Sequence, residues 1–358
     1  MERNFVKIVI ILSVSLTIAG CQNRKGGDLA KSPRFNEVTD FGEIFEEIEE
    51  FVLASPEDAP LGTILDSDVD PTGNLVVVDF DHKNIKIYNQ KGNLLRVFGQ
   101  TGRGPGEFIL PIDLCVDSEG KIYVTDLKSA RTNIFDAQGY LLQSFMTFEG
   151  YSPRKIEVDS KGQIYIGGSK FLTKNEALLI HKYAADGRYI KSFYPMNEKI
   201  AKMFLWFTAG VLFDIDEDNH LYCAQPAAYE ISKYDSEGKL IKEFSREAYF
   251  YTEPTAISEI DTSKAFLNAW IDSWTQVANI KVSPNEFVFV VFNTHKPIEF
   301  GIDIYSREGE LIRGGISTDL RLLCFDQNNF AYFSTKTGSD YKILKYSVNL
   351  SIPGERNP

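Results

Sequence analysis

Val116-Asp117-Ser118-Glu119-Gly120-Lys121-Ile122-Tyr123-Val124-Thr125-Asp126 decides the architecture. Ile122 and Val124 alternate with Tyr123 and Thr125, the two-residue period of a strand. Ahead of them, Asp117 to Gly120 supply turn conformations that bulky residues disfavour. The stretch is therefore the middle of a hairpin. It recurs as VDPTGNLVVVD from Val69 and VDSKGQIYIGG from Val158. Looser copies are IDEDNHLYCAQ from Ile215, VSPNEFVFVVF from Val282 and FDQNNFAYFST from Phe325. The turns begin at positions 70, 117, 159, 216, 283 and 326, a spacing that marks a repeat architecture. Helical repeats are excluded, because the segments lack a 3.6-residue period and are rich in β-branched and aromatic residues.

A second hairpin follows each first one, as IYNQKGNLLRVF, IFDAQGYLLQSF, KYAADGRYIKSF, KYDSEGKLIKEF and IYSREGELIRGG. Two hairpins in series make a four-stranded antiparallel blade, and six blades arranged radially make an all-β, six-bladed β-propeller. After Tyr346 the last copy has no such turn and no fourth strand. An open edge there would invite aggregation. The segment Glu50-Phe51-Val52-Leu53-Ala54 is a spare strand ahead of the first blade. It is expected to join the last blade and close the ring.

These copies are similar to NHL-type repeats, in which VD-x-x-G is followed by IYV-x-D. The linker Phe98-Gly99-Gln100-Thr101-Gly102-Arg103-Gly104-Pro105-Gly106-Glu107-Phe108 resembles the G-x-G-P-G-E-F/Y connection of the six-bladed β-propeller lipoproteins of Bacteroidota. The resemblance covers about residues 40–350 and implies fold and envelope location, not an activity. Asn219, Ser283 and Asn329 depart from its turn pattern.

The N-terminus fits an exported protein. Arg3 and Lys7 precede an apolar run from Ile8 to Ile18, too short to span a bilayer, which needs about 20 residues. Ile18-Ala19-Gly20-Cys21 resembles the bacterial lipobox, in which the Cys carries the lipid. This gives a signal peptide over 1–20, a flexible tether over 21–38 and the propeller over 39–358. By the same resemblance, Gln22 after the lipidated Cys favours the outer membrane. The missing acidic run favours its periplasmic face. Membrane contact is expected through the acyl anchor. The formal net charge of −12 argues against nucleic acid as a partner.

No chemical motif stands out. The Gly-rich linker lacks the Lys-Ser/Thr of a P-loop and reads as a tight connection between blades 1 and 2. Asp66, Asp68 and Asp70, and again Asp214, Asp216 and Asp218, have calcium-loop spacing. Pro71 and Asn219 stand where the loop needs Gly, so these acids read as solvated turn residues. His82, His181, His220 and His295 fall at different places in their blades, and neither H-E-x-x-H nor paired C-x-x-C occurs. Cys115, Cys223 and Cys324 sit in apolar runs and read as buried free thiols. No metal or other cofactor is expected.

Two insertions, at about 195–209 and 246–274, interrupt the spacing. In the second, Asp261 or Thr262 would cap a short helix between blades 4 and 5. Trp206, Trp270 and Trp274, all the tryptophans of the chain, lie in these insertions. They pack the insertions onto the propeller or form a platform for a glycan or peptide. Asp79, Asp126 and Arg131, at second-strand ends, line a polar pocket or cap turns. All six are candidate ligand-binding residues. They belong to an envelope scaffold that binds a glycan, a peptide or an envelope protein. The competing expectation is a lactonase-like hydrolase or lyase with a metal in the channel.

Overall fold

The structure, a computed structural model, describes residues 38–169, 178–202, 210–248, 251–254, 270, 273–294 and 300–350. They form six four-stranded antiparallel sheets. The innermost strands are Ile64–Val69, Pro111–Val116, Ser152–Val158, Leu212–Ile215, Gln276–Val282 and Arg321–Phe325. Each touches the innermost strand of the next blade, and the first touches the last, so the ring is closed.

The turn chemistry is as local as the repeats imply. Asp117 Oδ1 accepts from Glu119 N and Lys121 N, both at 2.9 Å. Gly120 takes φ +82°, which a side chain would resist. The tyrosine of the following strand returns to the same carboxylate, Tyr123 Oη donating to Asp117 Oδ2 at 3.0 Å. Tyr165, Tyr222 and Tyr332 repeat this bond to Asp159, Asp216 and Asp326. The departures in the later blades preserve the turn: Asn219 and Asn329 take the left-handed conformation, which Asn tolerates.

Blades also interlock. A Cβ on Gly139 would meet Phe98 of the preceding blade at 2.6 Å. Phe145 lies likewise against Gly187, Phe193 against Gly238 and Phe244 against Gly309. Each outer-strand aromatic thus lies on the glycine of the next blade's second turn. In the last blade that aromatic comes from the other end of the chain: Phe51 lies against Gly92 of blade 1.

Phe51 belongs to the closing strand. That strand runs over Phe45–Val52, several residues earlier than the expected 50–54. It pairs antiparallel with Asp340–Val348, from Phe45 opposite Val348 to Val52 opposite Lys342, with a bulge between Glu47 and Glu49. Leu53 N still donates to Tyr341 O at 3.0 Å, and Ala54 N turns to Gly92 O at 2.8 Å. Phe45 sits in an aromatic cluster with Phe41, Phe333, Phe289 and Tyr346. Of the expected helix between blades 4 and 5, Trp270, Ser273 and Trp274 lie among the described residues; Trp270 is helical, and Ser273 and Trp274 are not.

Candidate functional site

The strand order puts the Asp-led turns on one face of the ring, together with the second hairpin turns. The blade-to-blade connections, including both insertions, are on the other. Two residues before each Asp-led turn (Ser283 in blade 5) stand Asp68, Cys115, Glu157, Asp214, Lys281 and Cys324, one from every blade. Five of them, all but Cys115, line a cavity of about 300 Å³ where the axial channel opens on the turn face. Asp216, Glu217, Ser283, Phe325, Asp326 and Gln327 form its rim. One strand step deeper lie Asp66, Asp113 and Lys155, all buried.

The acids first serve the ring. Asp68 Oδ2 accepts from Val116 N at 2.8 Å, Asp66 Oδ2 from Leu114 N at 3.2 Å, and Asp113 Oδ2 from Ile156 N at 2.7 Å. Asp214 Oδ2 accepts from Val282 N at 2.8 Å. In each case the carboxylate of one blade satisfies the free inner edge of the next. The expectation that the D-x-D-x-D acids are solvated turn residues is corrected here. Asp66, Asp68 and Asp214 project inward because the strand period places every second residue on the axis. Asp70 alone of the first triplet caps its turn, accepting from Thr72 N and Asn74 N.

Crowding sets the protonation states. Burial, with lesser repulsion from Asp66, pushes Asp68 up to about 6. Burial raises Glu157 to about 8 against the opposing pull of Lys155, which donates to it. Asp66 and Asp113 hydrogen-bond each other. Burial and then the Asp66 charge drive Asp113 well above the carboxylate range. Burial pushes Asp66 the same way, but Lys281 and Lys155 outweigh it and hold Asp66 low. One proton is shared by that pair. Both lysines stay charged: burial opposes this, but Asp113 and Glu157 overcome it at Lys155, and Asp66 and Asp214 at Lys281.

Lys281 differs from Lys155. Lys155 Nζ reaches Asp113 Oδ2 at 3.3 Å and also donates to Ile156 O and Glu157. Lys281 is only 6% exposed, lines the cavity, and has no hydrogen-bond or ion-pair partner among the described residues.

The residues singled out in the sequence lie elsewhere. Asp79 and Asp126 are fully buried on the connection side. Asp79 accepts from Gly62 N at 2.9 Å and Lys86 Nζ at 2.5 Å, with His82 Nδ1 at 2.9 Å. Asp126 accepts from the backbone of Ile109, Leu110, Lys128 and Ser129. Both carboxylates fix connections. Arg131 donates to Ser144 Oγ at 2.9 Å. Trp270 and Trp274 are buried against each other, ring centres 5.2 Å apart, and neither lines the channel mouth. Cys21 and Trp206 lie outside the described residues. The Gly-rich linker is held by Glu107, which accepts from Gly104 N at 2.8 Å and Gln100 Nε2 at 3.0 Å. His181 is buried between Ser192 Oγ and Gly168 O, and His220 lies 3.0 Å from Asp216. Among the described residues, no three His, Cys, Asp or Glu side chains are grouped as a metal ion would require. No described helix is long and apolar enough to cross a membrane.

The family DUF5128, 6-bladed beta-propeller, matches residues 28–268. The chain belongs to this family. The propeller described above continues through blades 5 and 6 beyond the matched span. Crystal structures of Bacteroides proteins share the family's fold. One is a protein named as exported from Bacteroides fragilis (14% identical, TM-score 0.62), covering 89% of this chain and 99% of that one. Another is a DUF4221 member from Bacteroides vulgatus (10% identical, TM-score 0.61), covering 89% and 100%. A gluconolactonase from Xanthomonas campestris is also similar (14% identical, TM-score 0.56), covering 91% and 100%. Part of the sequence is 33% identical over 72 residues to NHL repeat-containing protein 3 of Homo sapiens. Another match, 42% over 77 residues, is to the B-box type zinc finger protein ncl-1 of Caenorhabditis elegans. The matched segments span 20% and 8% of those two proteins.

Proposed function

We propose that this propeller is an exported, lipid-anchored binding protein of the cell envelope. It is held at the periplasmic face of the outer membrane by an acyl chain on Cys21 and takes a small polar ligand at the channel mouth. The observation that carries the ligand site is the cavity of about 300 Å³ lined from five of the six blades by charges of both signs. That volume is at the small end of ligand pockets, and the polar groups converge, as in sites that fix one orientation. Cavities at the hub of a rigid ring keep their shape, which lowers the ordering cost of binding. The mouth is preferred to the insertion face, because Trp270 and Trp274 are spent on each other.

The test is a thermal-shift screen of the full-length chain against small polar molecules, repeated on Glu217→Trp. Glu217 is exposed on the rim, so a tryptophan there covers the mouth without entering the core. A ligand at 100 times its Kd should stabilise by about 2.7 kcal/mol. Stabilisation lost in Glu217→Trp supports the site; stabilisation that survives it, or none from any compound, rejects it. The anchor is tested by Cys21→Ser, which should move the protein from the membrane pellet to the soluble fraction. Sedimentation unchanged by Cys21→Ser would remove the lipid from the proposal.

A further inference from the structure

Lys281 narrows the ligand. The Lys281 side chain is 6% exposed, its ammonium reaches the open volume of the channel mouth and no described residue accepts from it, although Asp66, Asp214 and Glu157 are close enough to act on its charge. With no protein acceptor among the described residues, the three N–H donors of this enclosed side chain are left facing the cavity, so an acceptor atom from outside completes them. The rest of the wall sets further conditions. Asp68 and Asp214 each already accept two backbone N–H bonds, Val116 and Val69 for Asp68, Val282 and Ile215 for Asp214. A carboxylate has about four lone-pair sites, so both retain acceptor capacity toward the cavity. Glu157 gives one oxygen to Lys155 and lines the cavity as well.

The charges exclude both kinds of ion. A cation would have to sit beside Lys281, in a channel that also holds Lys155. An anion would have to pass Glu217, Asp216 and Asp326 on the rim and then face Asp68 and Asp214. Within the channel, acidic side chains and a lysine line the same small cavity, so a ligand of either sign meets a like charge. What remains is a neutral molecule whose polar atoms both accept and donate. Hydroxyl groups do both. Phe325, Ile215, Val282 and Pro284 add apolar wall for the C–H faces of such a molecule.

We infer that the channel mouth binds a neutral, hydroxyl-rich ligand, a single sugar unit or polyol, with a hydroxyl oxygen accepting from Lys281 Nζ and neighbouring hydroxyls donating to Asp68 and Asp214. This inference rests on the channel mouth being the ligand site. The ligand is either a free sugar or the end residue of a glycan chain, since the cavity opens directly on the turn face.

The experiment uses the full-length chain in a detergent without a sugar headgroup. Calorimetric titration compares glucose, galactose, N-acetylglucosamine and mannitol with the amine glucosamine and the acid glucuronate. A disaccharide ending in each neutral sugar is included. At least one neutral compound should bind, more tightly than both charged ones. Lys281→Met should weaken it at least about tenfold, the cost of losing a hydrogen bond to a charged group. Asp68→Asn, which keeps the side chain's shape and an oxygen for Val116 N, should also weaken it if Lys281→Met proves unstable. Tighter binding of the disaccharide identifies a chain end, and tighter binding of the monosaccharide a free sugar; either carries the inference. A charged compound that binds tightest and is blocked by Glu217→Trp overturns the ligand class but leaves the site. Neutral binding that is unchanged in both Lys281→Met and Asp68→Asn overturns the role of these residues. Binding unaffected by Glu217→Trp rejects the site itself.

Discussion

Phe45→Ala tests whether the N-terminal strand closes the ring. Phe45 is 3% exposed, its ring 4.6 Å from Phe41, 5.1 Å from Phe333 and 6.2 Å from Phe289. The cluster therefore spans the closing strand, blade 6 and blade 5. Truncating a buried phenylalanine costs about 3–5 kcal/mol, transfer and cavity together. That is a large part of the roughly 5–15 kcal/mol that separates folded from unfolded domains. At roughly 2–4 °C per kcal/mol, the melting temperature of the purified protein should fall by about 6 °C or more in scanning calorimetry. The control is Ile48→Ala on the same strand. Ile48 is 53% exposed, so its loss should stay within about 0.5 kcal/mol. If Phe45→Ala and Ile48→Ala melt within about 2 °C of each other, the strand does not hold the ring.

Gly92→Ala should destabilise by more than the about 1 kcal/mol usual for a mutation, because Gly92 has φ +76° and a Cβ there would lie 2.1 Å from Val52 O; an unchanged urea midpoint would contradict this. Between blades 4 and 5, Asp303 is fully buried, accepts from Arg246 Nε at 2.7 Å and Nη2 at 2.6 Å and from Gly315 N at 2.9 Å, and also bonds Tyr229. Asp303→Ala removes the buried carboxylate from this network and should cost about 3–5 kcal/mol by denaturant titration; a loss below about 1 kcal/mol would mean the network is not structural. Glu157 binds a proton more tightly folded than unfolded, so stability should fall as pH rises from about 4.5 towards 8, and Glu157→Gln should flatten that slope. Equal slopes in both proteins would place the buried proton elsewhere. Cys115, Cys223 and Cys324 are buried with their thiols pushed up by burial, so none should react with iodoacetamide at pH 8 until the protein is unfolded; labelling of the native protein at any of the three would refute that packing.

The blades were legible because turn and strand chemistry are local. Asp117, Gly120 and Tyr123 can be read in one line of sequence, and the structure joins them within one hairpin. The need for a closing strand was legible too, from the missing fourth strand after Tyr346. Its position was not, because Glu46, Glu47, Glu49 and Glu50 carry no apolar alternation and the bulge between Glu47 and Glu49 breaks the period. Only Phe45 and Phe51 mark its buried side. The channel was harder still. Asp68, Cys115, Glu157, Asp214, Lys281 and Cys324 do share one position in the repeat, and comparing that column across the six copies is the signal that would have exposed it. Read singly, Asp66 and Asp68 looked like turn acids. Their partners, Leu114, Val116 and Asp113, are remote in sequence and meet them only when blades 1 and 2 pack together. Rarity drew attention to Trp270 and Trp274, and they are buried against each other, because large aromatic surface is as useful for burying an insertion as for binding.

The composite blade also orders events in time. Phe45–Val52 finds its partner only in Asp340–Val348, nearly the whole chain later. The chain must be made as far as Val348 before that sheet can exist, so until then an emerging chain holds open blades with an unmated edge at one end. Such long-range pairing makes for slow folding. Under the export proposed above this is an asset, since a chain that lacks Asp340–Val348 cannot close its ring and stays threadable until that strand has crossed.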